Sequence, residues 1–293
     1  MRIDKRSRAI LYLVGATFCL AMMSAFVRLS GDLPTMQKLF LRSVIMVAVS
    51  FLELRRSGYR LLLEKAYALP VILRGLFGAV SVSCNFYAID HMNLADANML
   101  NKLSPFLTVF FSWLVLKERF RPRDIIALLF AFLGTLLIIR PGGNGIPAIP
   151  ALVALLGGIT AGMAFTAVRA SNLAGAPKPL IVFSFSFASC LVGFPSTAVH
   201  FVPMQSGQWL AILACGACGV LGHFLNTRAY ALAPSRDISV FDYSQVVFSA
   251  LIGILLFGQI PDVLSVLGYC IIIGTGVAVF LSNHRGNTLD KSA

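Results

Sequence analysis

Charge is scarce in this chain. Asp, Glu, Lys and Arg make up 12% of its 293 residues, against roughly 25% in an ordinary soluble domain. No stretch is polar enough, for long enough, to fold as a water-soluble domain. No glycine-rich loop ending in Gly-Lys-Ser or Gly-Lys-Thr occurs, so the phosphate cradle of ATP-driven machines is missing. The four histidines, His91, His200, His223 and His284, are scattered, which leaves a membrane enzyme without a paired His and Asp cluster. One CxxC is present, Cys215 and Cys218 within Ala214-Cys-Gly-Ala-Cys-Gly219. A second pair that would complete a zinc site is absent, so these cysteines read as small residues packing a membrane helix. No metal, no cofactor and no enzymatic activity are expected.

What the chain has is apolar length. Hydrophobic residues make up 58% of it, and the mean hydropathy is +0.83. A helix needs about 20 apolar residues to cross a bilayer. Ten such spans can be marked: 9–29, 34–54, 67–89, 95–116, 122–140, 150–171, 178–200, 208–229, 237–257 and 262–282. Short connections carry the turn residues, as in Gly31-Asp-Leu-Pro34 and Gly258-Gln-Ile-Pro261. The first span ends in Arg28 with no small-residue cleavage site, so it reads as a retained helix and not as a signal peptide.

The net charge of +12 would suggest nucleic acid in a soluble protein. Its distribution says otherwise. Arg2, Lys5, Arg6 and Arg8 precede the first span; Arg55, Arg56, Arg60 and Lys65 follow the second; Lys117, Arg119, Arg121 and Arg123 follow the fourth. Lys178, Arg236, Arg285 and Lys291 fall on the same side. Positive loops stay in the cytoplasm. Both termini are therefore expected inside, in a multi-pass protein of the cell membrane, with a bacterial inner membrane as the natural setting.

The sequence also repeats. Shifted by 141 residues, Gly75 falls on Gly216, Gly78 on Gly219, Asn85 on Asn226, Ala88 on Ala229 and Asp96 on Asp237. The same shift lays Val27-Arg28-x-Ser30 on Val168-Arg169-x-Ser171. Two units follow, 1–145 and 146–293. Five spans per unit is an odd number, so the second unit enters the membrane upside down. The expected fold is an all-α membrane protein of ten transmembrane helices, arranged as two inverted five-helix repeats around a central cavity, the pattern of secondary transporters.

Polar residues inside the spans are the candidate site. Asn98, Asn101 and Lys102 share one face of the fourth span, and Pro105 follows, where a helix bends. They are expected to share a cavity with Asn85, although Lys102 has snorkelling to the outer interface as an alternative. The ninth span answers with Ser239, Asp242 and Tyr243, placed at mirrored depth toward the inner side. Asp242 is either a proton carrier, a partner for a substrate cation, or a structural partner of Arg169 or Arg228. His223 and Asn226 lie three residues apart on the eighth span. Imidazole can relay protons near neutral pH, or simply bond a neighbouring helix. Asn85 and Asn226 need partners in hydrocarbon, from another helix or from substrate. Arg28 and Arg169 are candidates for gating or for charge pairing, with a substrate carboxylate or with a helix C-terminus. Glu118, among basic residues, reads as a solvated ion pair.

The ten spans and the repeat, together with Arg42, Ala95-x-Ala97…Pro105 and Leu116-Lys-Glu118 followed by Gly134, resemble the EamA-type transporters of the drug/metabolite transporter superfamily. The resemblance covers about 9–282. It implies a cavity built largely from spans 1, 3, 4, 6, 8 and 9, and export, less often uptake, of amino acids and related metabolites. The chain departs from that pattern at Gln259, where the second half usually repeats the Glu. The reading is a secondary transporter for an amino acid or a related small polar metabolite, driven by protons or by exchange, with uptake or a channel as alternatives. Its partners are the substrate, the bilayer and, under proton drive, protons. Nucleic acid is not among them, and both a monomer and a homodimer fit.

Overall fold

The computed structural model describes residues 5–59, 63–117, 122–139, 147–232 and 239–289. Among them every regular element is a helix. In chain order these are α1 (Lys5–Leu29), α2 (Thr35–Arg56), α3 (Ala68–His91), α4 (Leu94–Asn101), α5 (Ser104–Leu116), α6 (Pro122–Ile139), α7 (Ala148–Leu173), α8 (Lys178–Val199) and α9 (Ser206–Leu232). A 3₁₀ helix, η1 (Ser239–Tyr243), precedes α10 (Ser244–Phe257) and α11 (Val263–Leu289). The positions read from sequence at Arg2, Arg60, Glu118, Arg119, Arg121, Arg236, Asp237 and Lys291 lie outside the described residues.

Seven segments are long and apolar enough to cross a membrane: Ser7–Leu29, Thr35–Arg56, Ala68–His91, Leu94–Leu116, Ala148–Leu173, Lys178–Val199 and Ser206–Asn226. Three shorter apolar helices, Ile125–Ile138, Phe241–Phe257 and Val263–Ala278, fall where the fifth, ninth and tenth spans are expected. Leu114, Leu129, Leu152, Leu210, Leu255 and Ile260 are exposed on the outside of the bundle. A soluble monomer does not carry so much contiguous apolar surface; hydrocarbon accepts it.

Two spans are not the continuous helices expected. The fourth breaks after Asn101, where Lys102 caps α4 and α5 begins at Ser104. Pro105 accounts for the break: it has no N–H to give the Asn101 carbonyl, and its ring would strike that carbonyl. The ninth starts as η1 and becomes α-helical only at Ser244. No proline stands there; instead the Ser244 hydroxyl takes the Phe241 carbonyl at 2.7 Å and meets Thr17 Oγ1 at 2.7 Å. In the 141-residue register Ser244 corresponds to Leu103, so the two breaks are equivalent.

The main helix pairs exchange between the halves. α1 lies along α9, and α7 along α3. α3 meets α8 as α9 meets α2, and α5 meets α7 as α10 meets α1. The pairs α2 with α8 and α6 with α11 join equivalent elements directly, and α4 of the first half meets α10 of the second. Two groups result, α1, α2, α9 and α10 in one and α7, α8, α3 and α5 in the other.

Small residues permit these approaches. A Cβ on Gly75 would stand 2.9 Å from the Ser184 carbonyl, and one on Gly158 2.8 Å from the Leu100 carbonyl. Where α6 crosses α11, a Cβ on Gly268 would stand 2.7 Å from the Gly134 carbonyl. Close backbone contact of this kind is how helices associate in lipid. Even helix ends repeat: α5 closes on Lys117 at φ +56° and α10 on Gly258 at φ +62°. Gly258 adopts this left-handed cap freely, whereas Lys117 carries a Cβ into it.

Candidate functional site

The equivalent breaks bring the two halves together. Lys102 Nζ lies 2.7 Å from Asp242 Oδ2, with side chains only 10% and 21% exposed. Counted along straight helices the two residues fell at mirrored depths, with Asp242 toward the inner side; the breaks, which that count ignores, let the two side chains meet between the halves. Lys102 does not snorkel. Asp242 takes Lys102 as its partner, and not Arg169 or Arg228. A buried pair of this kind is strong only while both members are present.

Asn98 does not line a cavity. It is 2% exposed and uses its whole amide. Nδ2 donates to the Leu94 carbonyl and to Ser249 Oγ, while Oδ1 accepts from Ser24 Oγ and Gln245 Nε2. It ties α1, α4 and α10 into one knot. Tyr243 is likewise buried, its ring so close to Gly276 of α11 that a Cβ there would stand 2.5 Å away. Both residues therefore hold helices together.

Asn101 and Asn85 remain half-buried. They flank the same step of α7: a Cβ on Gly157 would stand 3.6 Å from the Asn85 nitrogen, and one on Gly158 3.8 Å from the Asn101 Cα. Asn226, the repeat mate of Asn85, has a buried Oδ1 with no hydrogen-bond partner. Arg28 donates to the carbonyls of Ile89 and Met92 at 3.0 and 2.7 Å, closing the C-terminal end of α3. Arg169 is exposed near the end of α7. Gln259 presents Oε1 to the backbone N–H of Leu94 at 3.0 Å, so it caps α4 from the other half. An amide oxygen suffices for that bond, which explains how this position tolerates the loss of the expected Glu.

A second polar centre was missed. Arg42 on α2 is 1% exposed, and its Nη2 meets His223 Nε2 at 3.4 Å. Its Cζ stands 5.7 Å from the Phe86 ring and 5.9 Å from the Phe185 ring. Arg74 on α3 lies over the same Phe185 at 4.3 Å, and the His223 ring meets Phe185 edge-on at 5.7 Å. Two guanidinium groups and an imidazole thus surround one phenyl ring, among α2, α3, α8 and α9. Spans 2 and 7, which were not among those expected to build most of the cavity, contribute Arg42 and Phe185. Arg74 was not singled out at all; the available signal was an arginine inside an apolar run, rare in membranes without a function.

Known proteins share this plan. The pattern described as the EamA-like transporter family matches residues 7–140 and again 148–282. The pseudopaline exporter CntI of Pseudomonas aeruginosa (strain UCBPP-PA14) is 34% identical over 283 residues, covering 95% of this chain and 98% of that protein. The human solute carrier family 35 member G1 is 24% identical over 284 residues, covering 91% and 77%. A riboflavin transporter of Brucella anthropi is 23% identical over 263 residues, covering 84% and 87%. One crystal structure superposes with a TM-score of 0.68 at 23% identity, covering 96% of this chain and 99% of the other, which shows a shared fold.

Proposed function

This chain belongs to the EamA-like transporter family, and we propose that it exports a small polar metabolite, an amino acid or a derivative of one, by alternating access. The observation that carries the reading is the Lys102–Asp242 pair, which joins two helix breaks at equivalent positions of the two halves. Interrupted helices that meet near the centre of a repeat are the usual seat of substrate in such folds. The pair serves as a latch. Substrate or a proton competes for one of its members, the seam between α4 and α10 loosens, and the two helix groups rock.

The membrane plan is ten spans in two inverted units, 1–145 and 146–293, with both termini cytoplasmic. Seven long apolar helices and three short ones support the count; the exchange-symmetric packing supports the repeat. Export as the direction draws on the relative named as an exporter. Asp242, as the carboxylate of the latch, is the group through which a proton gradient would act; exchange needs no such step.

Counterflow in proteoliposomes tests this. Vesicles preloaded with a mixture of unlabelled amino acids should take up a labelled member saturably, and Lys102→Gln should abolish the exchange. Flux that rises without saturation would make the protein a channel. A folded protein that exchanges no member of the mixture would exclude amino acids as its cargo.

A further inference from the structure

Among the described residues the two buried lysines each have a carboxylate. Lys38 meets Asp90 at 2.7 Å, and Lys102 meets Asp242. Arg42 and Arg74 break the pattern. Among the described residues neither forms an ion pair. Arg42 Nε and Nη1 and Arg74 Nε are buried with no hydrogen-bond acceptor, and Asn226 Oδ1 is buried without a donor. Two unneutralised guanidinium groups in a low-dielectric interior are costly, and a fold keeps such a cost when something else supplies the missing charge.

The geometry says what that is. Phe86 and Phe185 stand against Arg42, and Phe185 also against Arg74. Aromatic contact offsets part of the desolvation of a cation, but it satisfies no N–H, because guanidinium donors point along its own plane. The open N–H groups therefore need oxygen acceptors, and the charge count needs two negative charges. Glycine leaves room for the forks. A Cβ on Gly78 would stand 2.0 Å from Arg74 Nη1, and one on Gly219 would stand 3.4 Å from Arg42 Nε. His223 on one side and Asn226 one turn further along α9 add polar groups that can bond the uncharged part of a ligand.

We infer that the Arg42–Arg74–His223 centre binds a dianionic substrate, a metabolite carrying two carboxylates or one phosphate ester, whose negative charges fall on the two guanidinium groups. This rests on the transporter reading above and narrows its cargo to acidic molecules. An acidic amino-acid derivative satisfies both. The site is offset from the Lys102–Asp242 latch in sequence and in the helices that build it, so the arginines hold the negative charges while a further group of the same substrate, or a proton, competes for the latch.

The purified protein in detergent provides the test, with succinate as the dicarboxylate probe and glycerol 3-phosphate as the phosphate probe. Acetate, glutamine and lysine serve as monoanionic, neutral and cationic comparisons. A ligand that prefers the native state raises the thermal midpoint by mass action. One or both dianions should raise it saturably, and the response of each identifies which acid the site takes. Arg42→Gln and Arg74→Gln should each weaken the apparent affinity by about tenfold or more, the scale of losing one charge-assisted contact, and Arg42→Lys should recover part of it. Gly78→Ala keeps every charge, but its Cβ would meet both the Arg74 fork and the Phe185 ring, and it should weaken binding as well; the ligand-free melting transition of each variant reports whether it has folded, and Arg42→Lys keeps the test open if a glutamine variant has not. Stabilisation by glutamine or lysine but by neither dianion would overturn the inference, as would dianion binding that survives both arginine changes. If saturable amino-acid counterflow occurs while no dianion binds, the transporter reading stands and this inference alone falls.

Discussion

Ser81 Oγ donates to the Gly157 carbonyl at 2.9 Å, and the equivalent place in the other half holds Gly222, whose absent Cβ would stand 3.3 Å from the Ala16 carbonyl. The same crossing of helices is thus built twice, once with a hydrogen bond and once with bare contact. Gly222→Ser should reproduce the Ser81 bond provided the Leu20 side chain, 3.0 Å from the new Cβ, gives way. Interhelical bonds in membranes contribute about 0.6 kcal/mol on average, so a small rise in thermal midpoint is expected; Gly222→Leu at the same site should lower it.

The Lys102–Asp242 pair makes a sharper prediction. Lys102→Gln and Asp242→Asn each leave a lone buried charge or a stranded partner and should destabilise by about 3 kcal/mol. The double variant should recover most of that stability. It should not recover transport, because the latch is gone. A double-variant cycle on thermal midpoint and counterflow separates the two effects. Stability that fails to recover would mean that the two groups are held by other contacts.

Asn98 and Asn101 should part ways. Asn98→Leu strands Ser24, Gln245 and Ser249 in the interior, at a cost of about 2 kcal/mol. Asn101→Leu leaves those bonds intact and should spare stability. Melting curves of the two variants check this, and equal midpoints would contradict the network.

Lys117 sits in a left-handed conformation at φ +56°. Lys117→Gly should relieve a strain of about 1 kcal/mol, raising the thermal midpoint, whereas Gly258→Ala at the equivalent cap should lower it by a similar amount. A fall in both variants would show that the Lys117 side chain contributes more than its backbone costs.

Much of this was legible in the chain, for physical reasons. Bilayer thickness sets span length, so apolar runs located the helices. Close packing in lipid demands small residues, so the glycines of 75, 78, 216 and 219 marked the crossings. What failed was anything that depends on a broken helix. Lys102 and Asp242 are 140 positions apart in sequence and looked to be at different depths, because depth was counted along continuous spans. Asn98 and Lys102 shared a helical face on paper, yet the break at Lys102–Leu103 lets one enter the α1–α4–α10 knot and the other reach Asp242. Arg74 carried a signal that went unused. Arg42 was noticed only as a family mark, since its tie to His223 and Phe185 crosses three helices.

Alternating access is the central claim, and distances between the two helix groups test it most directly. In a background cleared of native cysteines, spin labels at exposed Asp32 and His91 report one face of the bundle, and labels at exposed Ser57 and Asn172 report the other. Pulsed electron resonance in lipid should find two distances at each face, with the faces anticorrelated, and Lys102→Gln should shift both populations in opposite senses. One unchanging distance at each face in the unmodified protein and in the variant, or both faces widening together, would contradict the account.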